Sequence, residues 1–334
     1  MRAAILTDKK QMELKQAAEL ELGPKDVRLE VKACGICGTD QHIYHGQPGS
    51  AAVTPPIVLG HELSGIVAAV GSEVKLHAVG DRVSVDPNIY CGSCVFCRKG
   101  IVQLCDNLQA IGVTRDGGMG ESCVVPEANC YRMPDHMSYV AGALAEPLGC
   151  VLHGLKKLTV RPSDAVLVIG GGFIGQLFVQ LLRSQGRSGR LAVSEPIETK
   201  HQSLLELGAS EIIGDPSNID AVRDTFDIVI ECVGRRQSME TALQAAAKGG
   251  QVLLFGVAAP HTEVTLTPYH VFVKELRIMG SFINPYTHLD ALGCIAAGDV
   301  DVEGLVSHRF ALDEVPDMMA RYPQLEVTKG IIVY

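Results

Sequence analysis

A-V-L-V-I-G-G-G-F-I-G-Q-L-F-V-Q-L-L, from Ala165 to Leu182, followed by L-A-V-S-E from Leu191 to Glu195, is the stretch whose reading decides the fold. The apolar run Ala165 to Ile169 has no polar alternation, as suits a strand buried on both faces of a parallel sheet. Gly170, Gly172 and Gly175 follow in the G-x-G-x-x-G spacing, and Ile174 to Arg183 then carries apolar residues at helical intervals. In a strand, turn and helix of this kind the first glycine permits the tight turn. The second lets the backbone approach a pyrophosphate, and the third brings helix and strand close together. Free N–H groups and the positive end of the helix dipole then face the phosphates. Glu195 lies 20 residues past Gly175, where an acid for the adenosine ribose is expected. A carboxylate there accepts from ribose hydroxyls and repels a 2′-phosphate, so NAD is expected over NADP. Gly170, Gly172, Ile174, Gly175 and Glu195 are the expected cofactor positions. The rival reading, a glycine loop without a ligand, is disfavoured by the flanking strand, helix and acid. The 18 residues from Ala165 to Leu182 are also long enough to raise a membrane span, but three adjacent glycines and two glutamines speak against it.

At 334 residues and 47% hydrophobic content, the chain is expected to hold two domains, each with its own core. Its 38 acidic residues against 29 basic ones leave a net charge of −9, and no run of Lys and Arg stands out. Neither a nucleic acid nor an anionic membrane is therefore expected as a partner. The first residues, M-R-A-A-I-L-T-D-K-K, lack the apolar core and cleavage site of a signal peptide, and a cytoplasmic location is expected. Eleven cysteines in a large chain without such a signal point to metal binding before disulfides. Cys34, Cys123, Cys130, Cys150, Cys232 and Cys294 have no ligand-like spacing and read mostly as small buried apolar residues.

Short alternating segments and turn signals fill the chain to about Pro134, with a half-buried strand expected from Val27 to Ala33. From Tyr139 to Leu158 the pattern becomes helical, interrupted at Glu146-Pro147, where Pro147 can open a second helix. An α/β pattern then runs from Ala165 to about Gly280, with strands expected at Asp227 to Cys232, Gln251 to Val257 and Arg277 to Gly280, and a helix at Met239 to Ala247. The tail carries helices near Leu289 to Ala297 and Val315 to Arg321 and a last strand at Gly330 to Tyr334. A nucleotide-binding domain, 154–282, is thus expected between a large N-terminal part, 1–153, and a short C-terminal return, 283–334.

Two sets of residues have metal-binding chemistry. Cys91, Cys94, Cys97 and Cys105 place four thiols in fifteen residues, with Gly92, Ser93 and Gly100 to allow the turns, which matches a closed tetrahedral zinc site ordering a lobe at about 88–108. Its binding free energy, on the order of 10 kcal/mol, would hold together a loop with little core. A redox C-x-x-C pair or inert buried cysteines are the alternatives, and a nucleic-acid zinc module conflicts with the acidic balance. Cys37, His61, Glu62 and Glu146 form a looser set, far apart in sequence. Spacing alone leaves open whether they hold a catalytic metal or are a buried thiol, a core histidine and ordinary acids.

At C-G-I-C-G-T-D-Q-H (34–42), L-G-H-E-L-S-G-I-V (59–67), the four-cysteine lobe, A-E-P-L-G-C (145–150) and the glycine loop, the sequence resembles the zinc-dependent medium-chain alcohol dehydrogenases, nearest their sorbitol and other polyol members. The resemblance covers nearly the whole chain. It implies a GroES-like β-rich catalytic domain made from both ends of the chain, a Rossmann α/β domain with a doubly wound parallel sheet between them, and an active site in the cleft. By the same resemblance Cys37 and His61 are the first catalytic zinc ligands, Glu62 and Glu146 acids on or beside that zinc, and Asp40 the acid that orients a ligand histidine. Thr39 and His42 form a proton relay, and Glu195 and Lys200 contact the adenosine ribose. Two zinc ions per chain and NAD are the implied cofactors, and a homotetramer or dimer the implied assembly.

The activity so implied is hydride transfer from a secondary alcohol of a sugar alcohol to NAD, giving a ketose. Alditol-phosphate, L-threonine and 2,3-butanediol dehydrogenases of the same family are the alternatives. Sorbitol dehydrogenases carry an arginine where this chain has Ile283, and threonine dehydrogenases have tryptophans near the first zinc cysteine, whereas this chain has none. A catalytically silent NAD-binding zinc scaffold is the reading from another class. One zinc per chain with no alcohol-dependent NADH would favour it, and two zinc with turnover would favour the enzyme.

Overall fold

A computed structural model describes residues 1–18, 21–186, 189–214 and 222–334 of the chain. They form two compact units, one made of Met1–Gly149 and Ile283–Tyr334, the other of Cys150–Phe282.

The Cys150–Phe282 unit carries six parallel strands in the spatial order Glu211–Ile213, Arg190–Ser194, Ala165–Ile169, Phe226–Glu231, Ala246–Leu254, Arg277–Gly280. The first of them in sequence, Ala165–Ile169, stands third, and the chain winds outward from it to one side and then the other. That is the doubly wound Rossmann order, with a crevice at the carboxyl ends of the strands where the winding reverses. Val166, Leu167 and Val168 are fully buried, as a strand covered on both faces requires. One boundary differs from the pattern reading. The helix expected to reach Ala247 spans Arg236–Ala245, and the next strand begins at Ala246 rather than Gln251. Ala246 pairs with Phe226, after which the register shifts so that Gln251 faces Ile228. Gly249, at φ 75°, and Gly250 lie in the shifted stretch, and their turn-like composition hides a strand.

The other unit is built on one long strand, Asp26–Ile36. Val27, Leu29, Val31 and Ala33 alternate into the core, and the strand then continues past its expected end because Cys34 and Ile36 are buried as well. Along one edge it pairs antiparallel with Glu62–Val70. Along the other it pairs first with Ser122–Pro126 and then with Gly330–Val333. The register sets Gly35 opposite Glu62 and Ile36 opposite Gly330. The four-cysteine lobe rises from a two-stranded pairing of Asn88–Ile89 with Gln109–Ala110. Val95, Ile101 and Leu104 are exposed on it, so the loop has little apolar core of its own. Pro147 falls in the first turn of the helix Ala145–Lys156, where its missing N–H is not needed. Among the described residues no helix is long and apolar enough to cross a membrane.

Candidate functional site

Three strand ends meet in the unit built on the long strand. Cys37 follows the long strand directly, Glu62 opens the strand beside it, and Lys329 precedes Gly330 on the opposite edge. One donor atom from each of Cys37, His61 and Glu62 lies within 4.8 Å of the other two. Two glycines make the room. Gly60, at φ 95°, turns the chain into the strand where a Cβ would press on Cys34 Sγ, and a Cβ on Gly35 would overlap Glu62 Oε2. Thiolate, imidazole and carboxylate are a donor set that zinc takes, and three protein donors leave a fourth position for a small molecule. The residues present therefore fit the metal that the sequence implied.

Asp40 organises the first two donors. One of its oxygens accepts the Cys37 N–H at 2.9 Å, at the start of the helix Gly38–Tyr44. The other stands 3.4 Å from His61 Nδ1, an ion-pair distance at which neither atom completes a well-aligned hydrogen bond. An N–H on that side leaves the lone pair on Nε2. Burial disfavours the charged His61 ring, but Asp40 and Cys37 outweigh it and hold its pKa above the usual value. A metal held by that ring would have to displace a proton.

Thr39 and His42 are half-buried and three residues apart on the same helix, hence on one face. Burial, with His45 adding to it, holds His42 below its ordinary pKa, so the ring is a neutral acceptor near pH 7. Glu146 is buried in the first turn of its helix and stands outside the set of three mutually close donors.

Lys329 is the residue that sequence reasoning missed. Its ammonium donates to Glu62 Oε1 at 2.7 Å and to the Ile36 carbonyl at 3.0 Å. Burial alone would lower its pKa, but Glu62, Cys37 and Tyr322 raise it, so the group is charged. Tyr322 lies close by, with burial pushing its hydroxyl up to about 12.

The four lobe thiols gather as the spacing implies, one sulfur each within 4.8 Å of the others, and all four cysteines are free. Backbone N–H groups point at the sulfurs: Cys91 N to Cys105 Sγ at 3.3 Å, Cys94 N to Cys91 Sγ at 3.4 Å and Cys97 N to Cys94 Sγ at 3.5 Å. Such donors favour thiolate. The Ser93 and Cys94 groups hold Cys91 down to about 5, while desolvation and neighbouring thiols push Cys97 up to about 12. Four sulfurs and no acceptor of a substrate make a closed zinc-type site.

In the Rossmann unit Gly170 adopts φ 101° at the end of its strand, and the helix Phe173–Ser184 begins at Gly172 with no side chain capping it. A helix start of this kind turns the positive end of its dipole toward the glycine turn, where a phosphate would be favoured. A Cβ on Gly175 would overlap the Gly170 carbonyl, which is the close helix–strand approach assigned to the third glycine. Ile174 is half-buried in the first turn, and Lys200 closes a short 3₁₀ turn, Glu198–Lys200, after Glu195. Glu195 is tied to the loop, with Oε2 accepting from Gly171 N at 2.9 Å and Oε1 from Ile197 N at 3.0 Å. A second acid, not foreseen from the pattern, braces the adjacent strand end: Glu231 Oε1 accepts from Val233 N at 2.8 Å and Gly234 N at 2.9 Å.

The comparisons with known proteins agree with this geometry. A family model described as the alcohol dehydrogenase GroES-like domain matches residues 23–135, and one described as zinc-binding dehydrogenase matches residues 174–293. The D-altritol 5-dehydrogenase of Agrobacterium fabrum is 33% identical over 99% of this chain and 98% of that protein. The L-idonate 5-dehydrogenase of Vitis vinifera is 34% identical over 88% of this chain and 83% of that one. Among solved structures, a protein of Sinorhizobium meliloti 1021 described as a zinc-binding dehydrogenase and bound to NADP superposes with a TM-score of 0.95 and 36% identity, covering 100% of this chain and 99% of that one. The chain belongs to the zinc-binding medium-chain alcohol dehydrogenase family, with a GroES-like domain and a Rossmann-type domain.

Proposed function

We propose that the protein oxidises a secondary alcohol of a polyol to a ketose, with NAD as hydride acceptor. The observation that carries the reading is the convergence of Cys37, His61 and Glu62 on a buried point, with a relay-capable helix starting at the first of them. Glu146 joins that set as a ligand or a near neighbour of the metal. Carboxylates in place of further thiolates make the site hard and polar, which suits a substrate offering several oxygens over one with a bare alkyl chain. The relatives named for D-altritol and L-idonate favour the same class. A polyol of about four to six carbons is the proposed substrate, with an alditol phosphate next.

Two groups not contained in the chain supply part of the chemistry: zinc gives Lewis acidity toward a hydroxyl, and the nicotinamide accepts hydride. The chain's own residues do the rest. Cys37 and His61 hold the metal, and Asp40 fixes the ring that binds it. The Thr39 hydroxyl takes the substrate proton and His42, neutral at working pH, passes it to solvent. The four lobe cysteines hold a second, structural zinc. The Phe173–Ser184 helix start receives the pyrophosphate, and Glu195, with Lys200 beside it, receives the adenosine ribose, which gives NAD over NADP.

Assembly into a homodimer or tetramer is part of the reading. Arg277–Gly280 is an edge strand with Ile278 exposed, and Tyr269 and Phe272 on the helix Pro268–Lys274 are 68% and 78% exposed. Open backbone groups flanked by apolar side chains suit pairing with a second copy, which light scattering over a dilution series would test. Eleven free thiols fit a reducing compartment such as the cytoplasm.

The deciding experiment is NADH production by the zinc-loaded protein across alditols, alditol phosphates, L-threonine, 2,3-butanediol and ethanol. A polyol should give the highest kcat/KM. If ethanol or threonine led and every polyol were inert, the substrate reading would fail while the zinc and NAD assignments stood.

A further inference from the structure

A buried lysine is rare unless paired, and Lys329 is paired within the metal cluster itself. Besides the bonds to Glu62 Oε1 and the Ile36 carbonyl, its nitrogen stands 2.5 Å from Glu62 Oε2, and the side chains of Lys329 and Glu62 are only 5% and 1% exposed. One ammonium thus faces both oxygens of the carboxylate, while Gly35 closes the side toward the strand. The charges count simply. Cys37 as thiolate, Glu62 and Asp40 each bring one negative charge, Lys329 one positive, and a divalent metal two. These five together sum to zero, and without Lys329 they would carry one unbalanced negative charge, to which Glu146 as a neighbour of the metal adds.

Resting on the zinc reading above, we propose that Lys329 is a positioning residue for the metal centre: its ammonium pins the Glu62 carboxylate beside Cys37 and His61 and cancels its charge, so that a metal held there keeps the net positive character Lewis-acid chemistry needs. The ammonium also repels the metal it serves. Lys329 trades some affinity for metal against reactivity. The ammonium is bonded to the very carboxylate that would hold the metal, so its repulsion would act across that one carboxylate group. Removing the cation should therefore tighten metal binding rather than loosen it, which no merely structural role predicts.

The test uses the full-length protein with Zn²⁺ and Co²⁺ as probes, titrated against a chelator to read the affinity of the second metal equivalent. Lys329→Met should bind that metal at least about tenfold more tightly. Its metal-free form should melt lower than the wild type, and the visible spectrum of its Co²⁺ form should change. Glu62→Gln, which keeps an acceptor for the ammonium, should bind about tenfold more weakly. The double variant should return to within about threefold of the wild type, because the two opposite charges leave together. Affinity unchanged or weakened in Lys329→Met, an unaltered Co²⁺ spectrum, or a double variant as weak as Glu62→Gln would each overturn the proposal. If Lys329→Met does not fold, the double variant decides: near wild type supports the role, and as weak as Glu62→Gln overturns it. A wild type that binds only one metal overturns both this proposal and the catalytic-zinc reading. Two metals with affinities indifferent to residue 329 overturn the role of Lys329 alone.

Discussion

Cys91, Cys94, Cys97 and Cys105 gather within the turns of a single loop, whereas Cys37, His61, Glu62 and Lys329 come from three strand ends, with Lys329 bonded to a carbonyl 293 residues away in sequence. The lobe has exposed Val95, Ile101 and Leu104 and backbone N–H groups aimed at its sulfurs, so a metal proposed there would substitute for a core. The strand-end cluster sits on a sheet whose residues Val27, Leu29, Val31, Leu63 and Ile332 are packed into one apolar core. That sheet is held by burial and pairing, and a metal at its strand ends would be an addition to it. On the proposed reading the same ion would be structural where local sequence gathers the donors and chemical where distant register does.

The widest gap between the two sites should appear in stability. Cys97→Ser removes a ligand from a site whose metal contributes on the order of 10 kcal/mol to ordering its loop. Soluble yield should collapse and the melting temperature of what folds should drop by about 10 °C or more. A normally stable Cys97→Ser protein with turnover abolished would reverse the assignment of the two sites. Cys37→Ser should do the opposite, cutting kcat/KM by about a thousandfold or more, or about 4 kcal/mol of barrier, while melting stays within about 3 °C of the wild type. Metal analysis of that variant should find one zinc per chain.

A third test probes the foot of the lobe. Asp86 accepts from the backbone and side chain of Asn88 at 3.1 Å, and Asn129 Nδ2 binds the Asp86 and Asn88 carbonyls. Burial pushes Asp86 up to about 6, against the pull of Asn88 and Asn284. Its folded pKa lies above the unfolded value of about 3.9, so the folded state holds the extra proton between about pH 4 and pH 6. Its contribution is fullest below pH 4 and is lost as pH rises through about 6. Asp86→Asn should therefore be more stable than the wild type at pH 8 by about 1–3 kcal/mol and indistinguishable at pH 4, read from urea unfolding at both. A penalty at pH 8 would mean that the ionised carboxylate is favoured where it stands.

The smallest effect concerns a carboxylate fixed by its own neighbourhood, Glu195, which is tied to Gly171 and Ile197. Steady-state kinetics should favour NAD over NADP by more than about tenfold, or about 1.4 kcal/mol, and Glu195→Gln should narrow the ratio. The NADP-bound relative from Sinorhizobium meliloti makes this the assignment most open to defeat. Equal efficiency with both cofactors in the wild type would defeat it.

What the sequence made legible follows the same division. Ala165–Ile169 and the glycines after it were readable because strand, turn and helix are consecutive, and the lobe because its four thiols fall within one loop. The strand beginning at Ala246 was not, since K-G-G reads as a turn and only pairing with Phe226 makes it extended. Cys37 and His61 carried a family likeness. Lys329 carried no signal: in V-T-K-G-I-I-V it looks like any lysine before a strand, and its partner Glu62 is 267 residues away. Gly35 and Gly60 likewise reveal their purpose only when the atoms they spare, Glu62 Oε2 and Cys34 Sγ, are in place.

The pairing of Ile36 with Gly330 also fixes an order of events during synthesis. Cys37, His61 and Glu62 leave the ribosome early and wait, without their counter-charge, while the whole of Cys150–Phe282 is made. That contiguous unit is free to fold as it emerges, and the first unit cannot close its sheet until Gly330–Val333 arrives. Ribosome-bound chains stalled near residue 320 should yield a protease-resistant Rossmann fragment and a digestible N-terminal part.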